Sequence, residues 1–227
     1  MSVTVQQSDA ADLLSAGERR AAIRDAYLID HAYFRVLWHN LAEVVPGVLY
    51  RSNHPTPGRL AHWVRHLGLR TIVNLRGPKP CGSTSLTEDE ARRLGIDHVY
   101  MAFESRGAPH RDRILRFHEI YRSMKRPALM HCKSGADRAG LAAGLAVLFE
   151  GGTAAEALRH LSWRFGHFAH SRAGVLDAFF LYYAATGEGR TPFLAWVEKE
   201  YDEAGLRARF AARGLSSFIN DRILRRE

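Results

Sequence analysis

The chain has little cysteine, no long apolar run and no internal repeat, and each absence narrows the class of protein. Two cysteines among 227 residues cannot make the disulfide framework of a small secreted domain. The longest apolar run, LDAFFLYYAA, is about half the length that a membrane-spanning helix needs. The amino terminus, MSVTVQQSDAADLL, lacks the basic start and apolar core of a secretory signal. We therefore expect a cytoplasmic, reduced protein in which that apolar run forms a buried helix.

The positive charge of the chain indicates an anionic partner. A formal net charge of +8 and a pI near 9.9 favour nucleic acid, an anionic membrane surface or phosphorylated substrates. No zinc-finger spacing, RNA-binding signature or heptad repeat occurs, so no nucleic-acid partner is expected. Peripheral contact with an anionic membrane surface stays open, and so does the oligomeric state. The 12 histidines show no metal-ligand spacing, and we expect neither a metal nor a cofactor.

Strand-like and helix-like segments alternate along the middle of the chain. The strand-like segments are GVLYRSN, RTIVNLRG, DHVYMAF and ALMHC. Helices with one apolar face follow them, and we predict helix starts at Thr56 with Pro57, at Thr87 with Glu90 and at Thr153 with Glu156. This alternation predicts an α/β fold with a central, mostly parallel sheet flanked by helices. The sequence also predicts a helix from Leu13 to Ile29 and an amphipathic segment around Phe34 to Val45.

The stretch HCKSGADRAG lies between the last predicted strand and a predicted helix. Such a loop directs several backbone N–H groups toward one point, and the helix dipole favours an anion there. Gly135 and Gly140 allow close approach of the backbone, and the planar fork of Arg138 can hold two phosphate oxygens. The same positive field favours the thiolate form of Cys132. A thiolate that faces phosphorus is a nucleophile.

The loop resembles the signature of the cysteine-dependent protein tyrosine and dual-specificity phosphatases. Cys132, five further residues and Arg138 follow His131, and the stretches LYRSNHP and TIVNLRG are similar to those of bacterial and atypical dual-specificity members. The resemblance covers roughly residues 45–185. It implies a cysteine-phosphatase-like fold and a metal-independent phosphomonoester hydrolase with a cysteinyl-phosphate intermediate. A rhodanese is disfavoured because its loop has one residue fewer between cysteine and arginine.

The resemblance also implies a division of the chain and a set of site residues. Residues 1–46 are expected to form a helical extension, 47–187 the phosphatase catalytic domain, and 188–227 a basic helical extension packed on the same domain. Cys132 is the expected nucleophile, Arg138 the phosphate clamp and His131 a support for the loop. The residues expected to bind phosphate are Lys133, Ser134, Gly135, Ala136, Asp137 and Arg138.

Two residues are candidates for the acid that protonates the leaving oxygen. Many members of the family carry a carboxylate about thirty residues before the cysteine, and Glu104 lies 28 residues before Cys132. A smaller group places aspartate directly before the loop arginine, as Asp137 is here. We favour Asp137, because a carboxylate beside phosphate is useful when it is protonated.

Several positions depart from the family pattern or allow two interpretations. Ala139 stands where the family usually has a serine or threonine that assists breakdown of the intermediate; Ser134 could substitute, or breakdown is slow. His167 and His170 either assist the attacking water or are ordinary packing and surface residues. In some relatives a second cysteine captures the oxidised nucleophile, a role open to Cys81 unless it is a bystander.

The substrate is less well determined than the class. Phosphotyrosine in a protein is the default substrate, because a deep cysteine-phosphatase pocket suits an aryl phosphate. Lys133 also occurs in phosphoinositide-directed relatives, which makes a phosphoinositide, another phospholipid or a phosphorylated sugar the alternative. A third hypothesis, prompted by Ala139 and the unsettled acid, is a non-catalytic module that binds phosphate. Arg51 and Arg76 follow strand-like segments and could line the mouth of the site, but surface solvation or a structural ion pair is the favoured role for each.

Overall fold

The structure is a computed structural model that describes residues 13–29 and 38–213. Within these ranges it contains nine α-helices and five strands, and the predicted α/β fold class is confirmed. The chain divides into two compact units. The first holds residues 13–29, 38–102 and 123–135, and the second holds residues 103–122 and 136–213. The predicted limits at residues 46 and 187 stay a prediction.

All five strands lie in the first unit. They are β1 (Ala42–Val45), β2 (Leu49–Ser52), β3 (Thr71–Asn74), β4 (Asp97–Tyr100) and β5 (Ala128–His131). Their order in the sheet is β1-β2-β5-β3-β4, and only β1 runs antiparallel to its neighbour. The sheet is therefore mostly parallel, as the sequence predicts. The four predicted strands correspond to β2 to β5.

Strand β1 differs from the expected amphipathic segment. Its residues pair with β2, with Ala42 opposite Arg51 and Val45 opposite Leu49. A short segment gains a ladder of hydrogen bonds when it joins an existing strand, and this outweighs its weak helical pattern. Residues 34–37, which belong to the same predicted segment, lie outside the described residues.

Parallel pairing aligns the carboxyl ends of the inner strands. Ser52 at the end of β2 and Asn74 at the end of β3 both pair with His131 at the end of β5. The segments that follow these strands therefore begin at the same edge of the sheet. In open α/β sheets this edge is where ligands bind.

Three helices belong to the first unit: α1 (Ala16–Leu28), α2 (Pro57–Leu67) and α3 (Gly82–Arg93). The prediction of a helix near residues 13–29 is confirmed by α1, and Thr56 and Pro57 begin α2 as predicted. Arg19 of α1 forms an ion pair with the buried Asp89 of α3, which fixes α1 against α3.

The predicted start of α3 at Thr87 is wrong. The helix begins at Gly82, after Cys81 as its N-cap residue. Thr87 lies inside the helix, and its hydroxyl donates to the carbonyl oxygen of Ser83 at 2.9 Å. Threonine inside a helix can satisfy its hydroxyl on the carbonyl four residues earlier, so a threonine followed by glutamate does not always mark a helix start.

One face of the sheet packs against α2 and α3. The buried residues of this cluster are Tyr50, Leu60, Trp63, Leu69, Ile72, Ala91 and Leu129. Leu60 and Trp63 come from the apolar stripe of α2, and Leu129 lies on β5 directly before the loop. Burial of Leu129 helps to fix β5, because a fully buried leucine contributes about 1.5–3 kcal/mol when it is removed from water.

The second unit is helical. It contains α4 (Arg111–Ser123, apart from its last residue), α5 (Asp137–Phe149), α6 (Ala154–Leu158), α7 (Val175–Thr186), α8 (Phe193–Lys199) and α9 (Glu203–Arg213). Two short 3₁₀ turns precede α7, at Trp163–Phe165 and Arg172–Gly174. The predicted capping box of Thr153 and Glu156 is confirmed, and α7 is the buried helix expected from LDAFFLYYAA.

In the described ranges no helix is both long and apolar enough to cross a membrane. Most of the arginine-rich carboxyl terminus, residues 214–227, lies outside the described residues.

Candidate active site

Cys132 follows β5 directly and is 2% exposed. Its Sγ accepts a hydrogen bond from the backbone N–H of Gly135 at 3.2 Å. A backbone N–H that points at sulfur stabilises the thiolate, since it places positive charge beside the anion. The first half of the loop therefore closes around the sulfur of its own cysteine.

Three consecutive carbonyl groups of the loop are held by residues from other parts of the first unit. The carbonyl oxygen of Lys133 accepts from the backbone N–H of His54 at 3.2 Å. That of Ser134 accepts from Asn40 Nδ2 at 2.8 Å, and that of Gly135 accepts from the guanidinium of Arg51 at 2.5 Å.

These contacts determine the direction of the backbone N–H groups. A trans peptide carries its C=O and the following N–H on opposite sides of one plane. When the carbonyls of residues 133–135 point at their partners, the N–H groups of residues 134–136 point the other way. The N–H of Gly135 reaches Cys132 Sγ on that side. The loop thus presents a row of donors suited to phosphate oxygens on the side of the sulfur.

Gly135 is the residue that this arrangement requires. Its φ is +79°, a conformation that side-chain-bearing residues rarely adopt. A Cβ at this position would lie 2.7 Å from the backbone nitrogen of Asn53 and 2.8 Å from Asn40 Cβ. Both the conformation and the space therefore exclude a larger residue.

Arg51 does not have the surface role that the sequence favours. It is fully buried on β2, and its guanidinium holds the Gly135 carbonyl. Arg51 lies inside a strand whose four residues are all buried, which the sequence alone does not reveal. A buried guanidinium must be hydrogen-bonded, so Arg51 and the loop fix each other.

His54 and Arg76 form a second support for the loop. His54 is 2% exposed, and its Nδ1 accepts from the Arg76 guanidinium at 3.1 Å. Its Nε2 then carries the hydrogen and donates to Thr87 Oγ1 at 2.9 Å. The His54 ring lies 4.4 Å, centroid to centroid, from the ring of the fully buried His131. The segment after β2 is thereby fixed against the end of β5.

The second half of the loop opens α5 in the second unit. Asp137 and Arg138 are the first two residues of this helix and are half-buried, whereas Ala139 is fully buried. A Cβ on Gly140 would lie 2.7 Å from the carbonyl oxygen of His160, so this glycine allows the chain near His160 to approach the helix. The Ala139 side chain supplies no hydroxyl for the expected assisting role.

Asp137 belongs to a chain of hydrogen bonds that the sequence does not reveal. Its Oδ1 lies 2.8 Å from Nδ1 of His167, and Nε2 of His167 lies 2.6 Å from Oδ2 of Asp177. The His167 side chain is 1% exposed. Burial by itself would lower the pKa of His167, but the two carboxylates outweigh it and raise this pKa to about 9. His167 is therefore an imidazolium at neutral pH.

Glu104 has a different environment in the same unit. Its side chain is 43% exposed, and its Oε1 lies 2.9 Å from Nε2 of His110 and 3.6 Å from the Arg113 guanidinium. Nδ1 of His110 contacts Glu203 at 2.7 Å. Glu104 therefore lies in a half-exposed cluster with a histidine, an arginine and a second glutamate.

The remaining site residues occupy varied surroundings. Lys133 is half-buried, Ser134 is exposed and Ala136 is buried. His170 is exposed. Cys81 and Cys132 are both free thiols, and Cys81 Sγ lies 3.2 Å from Thr84 Oγ1 at the start of α3. The possible disulfide between the two cysteines stays a prediction.

The fold and the loop are similar to those of cysteine-dependent phosphatases of the protein tyrosine and dual-specificity type. Residues 43–144 match a family model described as DSP-PTPase phosphatase fused to NAD+ kinase. The matched range includes the whole sheet from Glu43 onward, the loop and the first half of α5.

Solved structures share the fold. The catalytic core of the PP-IP phosphatase Siw14 from S. cerevisiae is 18% identical, with a TM-score of 0.50 over 78% of this chain and 95% of the yeast chain. A putative phosphatase (DUF442) from Shewanella putrefaciens is 17% identical, with a TM-score of 0.50 over 69% of this chain and 99% of that one. No curated protein matches the sequence.

Replacement of Gly135 by alanine should destabilise the protein and abolish most activity. The strained φ costs about 1–3 kcal/mol, and the new Cβ displaces the loop from Asn53. Gly151→Ala is the matched control, because Gly151 has a φ of +82° but no atom within 4 Å of its added Cβ. Urea denaturation should show a loss of stability in both variants, and phosphatase assays should show a loss of activity only in Gly135→Ala. Equal activity in both variants would contradict this account of the loop.

The charge on His167 should make stability depend on pH. Its folded pKa of about 9 lies above its ordinary value of 6.5, so its stabilising contribution is complete below about pH 6.5 and is lost as the pH rises through 9. The loss is at most roughly 3 kcal/mol. Urea unfolding at several pH values should show this decline in the unmodified protein and a smaller one in His167→Gln. Identical slopes would rule out an imidazolium at this position.

Proposed function

We propose that this phosphatase hydrolyses phosphate monoesters through a covalent phosphate on Cys132. The observation that carries the proposal is the buried Cys132 thiol with its Sγ on the N–H side of the loop, 3.2 Å from the Gly135 nitrogen. A buried sulfur that receives a backbone donor is suited to be a thiolate nucleophile. The loop also ends in Arg138, six residues later, in the first turn of α5.

The first step transfers the phosphoryl group to sulfur. The thiolate of Cys132 attacks phosphorus, an Sγ–P bond forms, and the bond from phosphorus to the ester oxygen breaks. The phosphate oxygens carry the charge, and the N–H groups of the loop and the guanidinium of Arg138 stabilise it. The leaving oxygen takes a proton from an acid.

The second step returns the enzyme to its starting state. Water attacks phosphorus, the Sγ–P bond breaks, and inorganic phosphate leaves while a carboxylate takes the proton of the water. Ala139 supplies no hydroxyl to the departing thiolate. The N–H of Gly135 then stabilises the sulfur at this stage, since it already donates to Sγ.

We assign the acid role to Asp137 rather than Glu104. Asp137 lies in the loop next to Arg138, and its side chain is 28% exposed, which leaves it open to substrate and solvent. Glu104 Oε1 is instead occupied by His110 and Arg113 in a half-exposed cluster.

Phosphotyrosine in a protein is the proposed substrate. The rival is a phosphoinositide or another phosphorylated lipid or sugar, supported by Lys133 directly after the nucleophile and by the description of yeast Siw14 as a PP-IP phosphatase. Turnover of a phosphotyrosine peptide against a phosphorylated inositol separates the two. A cytoplasmic location agrees with the need for a reduced thiol and is part of the proposal.

Cys132→Ser should abolish hydrolysis of p-nitrophenyl phosphate in the presence of a chelator. The expected loss is about a thousandfold or more, because a serine hydroxyl is far less nucleophilic than a thiolate. Cys81→Ser, the matched control at the other free cysteine, should keep activity within about twofold. If fully reduced protein releases no phosphate but binds phosphopeptide, the phosphate-binding module becomes the better hypothesis.

Asp137→Asn should slow hydrolysis according to the leaving group. On phenyl phosphate, whose leaving oxygen needs a proton, we expect about a hundredfold loss or more, and on p-nitrophenyl phosphate a much smaller one. Glu104→Gln should change both rates by only about twofold to threefold. A larger, leaving-group-dependent loss in Glu104→Gln would transfer the acid role to Glu104.

A further inference from the structure

A buried histidine bridges the catalytic loop to a buried carboxylate. His167 contacts Asp137 of α5 through Nδ1 and Asp177 of α7 through Nε2, at 2.8 Å and 2.6 Å. The side chains are 28% exposed for Asp137, 1% for His167 and 8% for Asp177. Only one end of this chain of hydrogen bonds therefore reaches solvent, and that end is the residue before Arg138.

The local chain holds His167 in place. Its backbone N–H donates to the carbonyl oxygen of Ser162 at 3.1 Å, after the 3₁₀ turn Trp163–Phe165 and Gly166. Asp177 lies in the first turn of α7, where the helix dipole favours its negative charge. It is the only acid in an otherwise apolar run, and burial of a carboxylate in such surroundings requires a partner.

The hydrogen-bond pattern fixes the protonation of this cluster. Each ring nitrogen of His167 faces a carboxylate oxygen, so each nitrogen must donate, and the ring carries a positive charge. Among the described residues, the charged groups that face the ring are Asp137 from α5 and Asp177 from α7. The cluster is neutral when Asp137 carries a proton on Oδ2, and it has a net charge of −1 when Asp137 has given up that proton.

We propose that His167 and Asp177 are positioning residues that make Asp137 the acid and base of the reaction. This inference rests on the proposed function. His167 holds Oδ1 of Asp137, which leaves Oδ2 for the reacting oxygen, and Asp177 holds the ring in its charged form. The imidazolium also compensates the charge that Asp137 gains when it donates its proton.

The proton balance closes over one turnover. In the first step the proton on Asp137 Oδ2 moves to the leaving oxygen, and the new carboxylate keeps its hydrogen bond from His167 Nδ1. In the second step the carboxylate takes a proton from the attacking water as the Sγ–P bond breaks. His167 and Asp177 keep their protonation states throughout, so no proton has to leave the buried part of the cluster.

His167→Gln tests the proposal through the pH profile. This substitution removes the positive charge that lies 2.8 Å from Oδ1 of Asp137. The pH at which kcat/KM for phenyl phosphate declines should therefore rise by about one unit, while the maximum rate falls about tenfold. A histidine with a purely structural role would lower activity without moving the pH at which kcat/KM declines.

Two further variants keep the test decisive. His66→Gln, an exposed histidine on α2, should leave both the rate and the profile unchanged. If His167→Gln does not fold, Asp177→Asn takes its place in the test. The asparagine keeps the shape of the buried side chain and an oxygen that accepts from Nε2 of His167. It should lower kcat for phenyl phosphate about threefold to tenfold with KM unchanged, and should move titration of the His167 ring, followed by NMR, from about 9 toward neutral pH.

A double-variant comparison separates this proposal from the function on which it rests. In an Asp137→Asn background, neither His167→Gln nor Asp177→Asn should lower kcat further, because both act through Asp137. The positioning role would be overturned if the double variants had a lower kcat than Asp137→Asn alone. It would also be overturned if His167→Gln did not move the pH at which kcat/KM declines. Turnover that survives Cys132→Ser would overturn the proposed function instead.

Discussion

The arrangement of the loop around Cys132 depends on the orientation of a few peptide planes. Each plane carries its C=O and N–H in opposite directions, so carbonyls held on one side present N–H groups on the other. The donors that hold them, from Asn40, Arg51 and His54, come from the chain before β2, from β2 itself and from the turn after it. The parallel register of β2 with β5 brings these donors to the loop. The orientation of the loop's N–H groups around Cys132 is thus a consequence of sheet pairing.

Because the side chains that support the loop are buried, they hold its carbonyl groups in fixed directions. A guanidinium or imidazole in the interior must use its hydrogen bonds within the protein, and it loses much more free energy when a partner moves than an exposed one does. Arg51 and His54 are 0% and 2% exposed, so they fix the loop carbonyls more firmly than surface residues could. His167 has the same property in the second unit, where both of its ring nitrogens contact carboxylates.

The sequence predicts the parts of the fold that have a local signal. Strands β2 to β5, the helix after the loop and the capping box at Thr153 are set by apolar runs, glycines and caps within a few residues. Thr87 was misassigned because the same short pattern fits a helix interior. β1 was missed since its extended form depends on pairing with β2, which a local pattern does not contain.

The site residues divide in the same way. Some follow from a short stretch of sequence, and others depend on residues far away along the chain. The spacing from Cys132 to Arg138 is visible in ten residues, and so the candidate nucleophile and the resemblance to a class of phosphatases follow from the sequence. The partners of the loop do not, because Arg51 looks like any strand-end arginine until its burial is known. A single acid inside LDAFFLYYAA was a usable sign that Asp177 has a buried partner. Nothing in the sequence named that partner as His167, ten residues earlier.

The choice between the two acids depends on their surroundings rather than on their spacing. Glu104 satisfies the family spacing, but the groups around it are a histidine, an arginine and a second glutamate in a half-exposed cluster. Among the described residues, Asp137 contacts His167, whose charge is itself set by a second carboxylate. An acid–base residue needs one oxygen fixed and one available, because proton transfer depends on short, aligned contacts with the reacting atoms. Of the two carboxylates, Asp137 has this arrangement at the loop that carries the nucleophile.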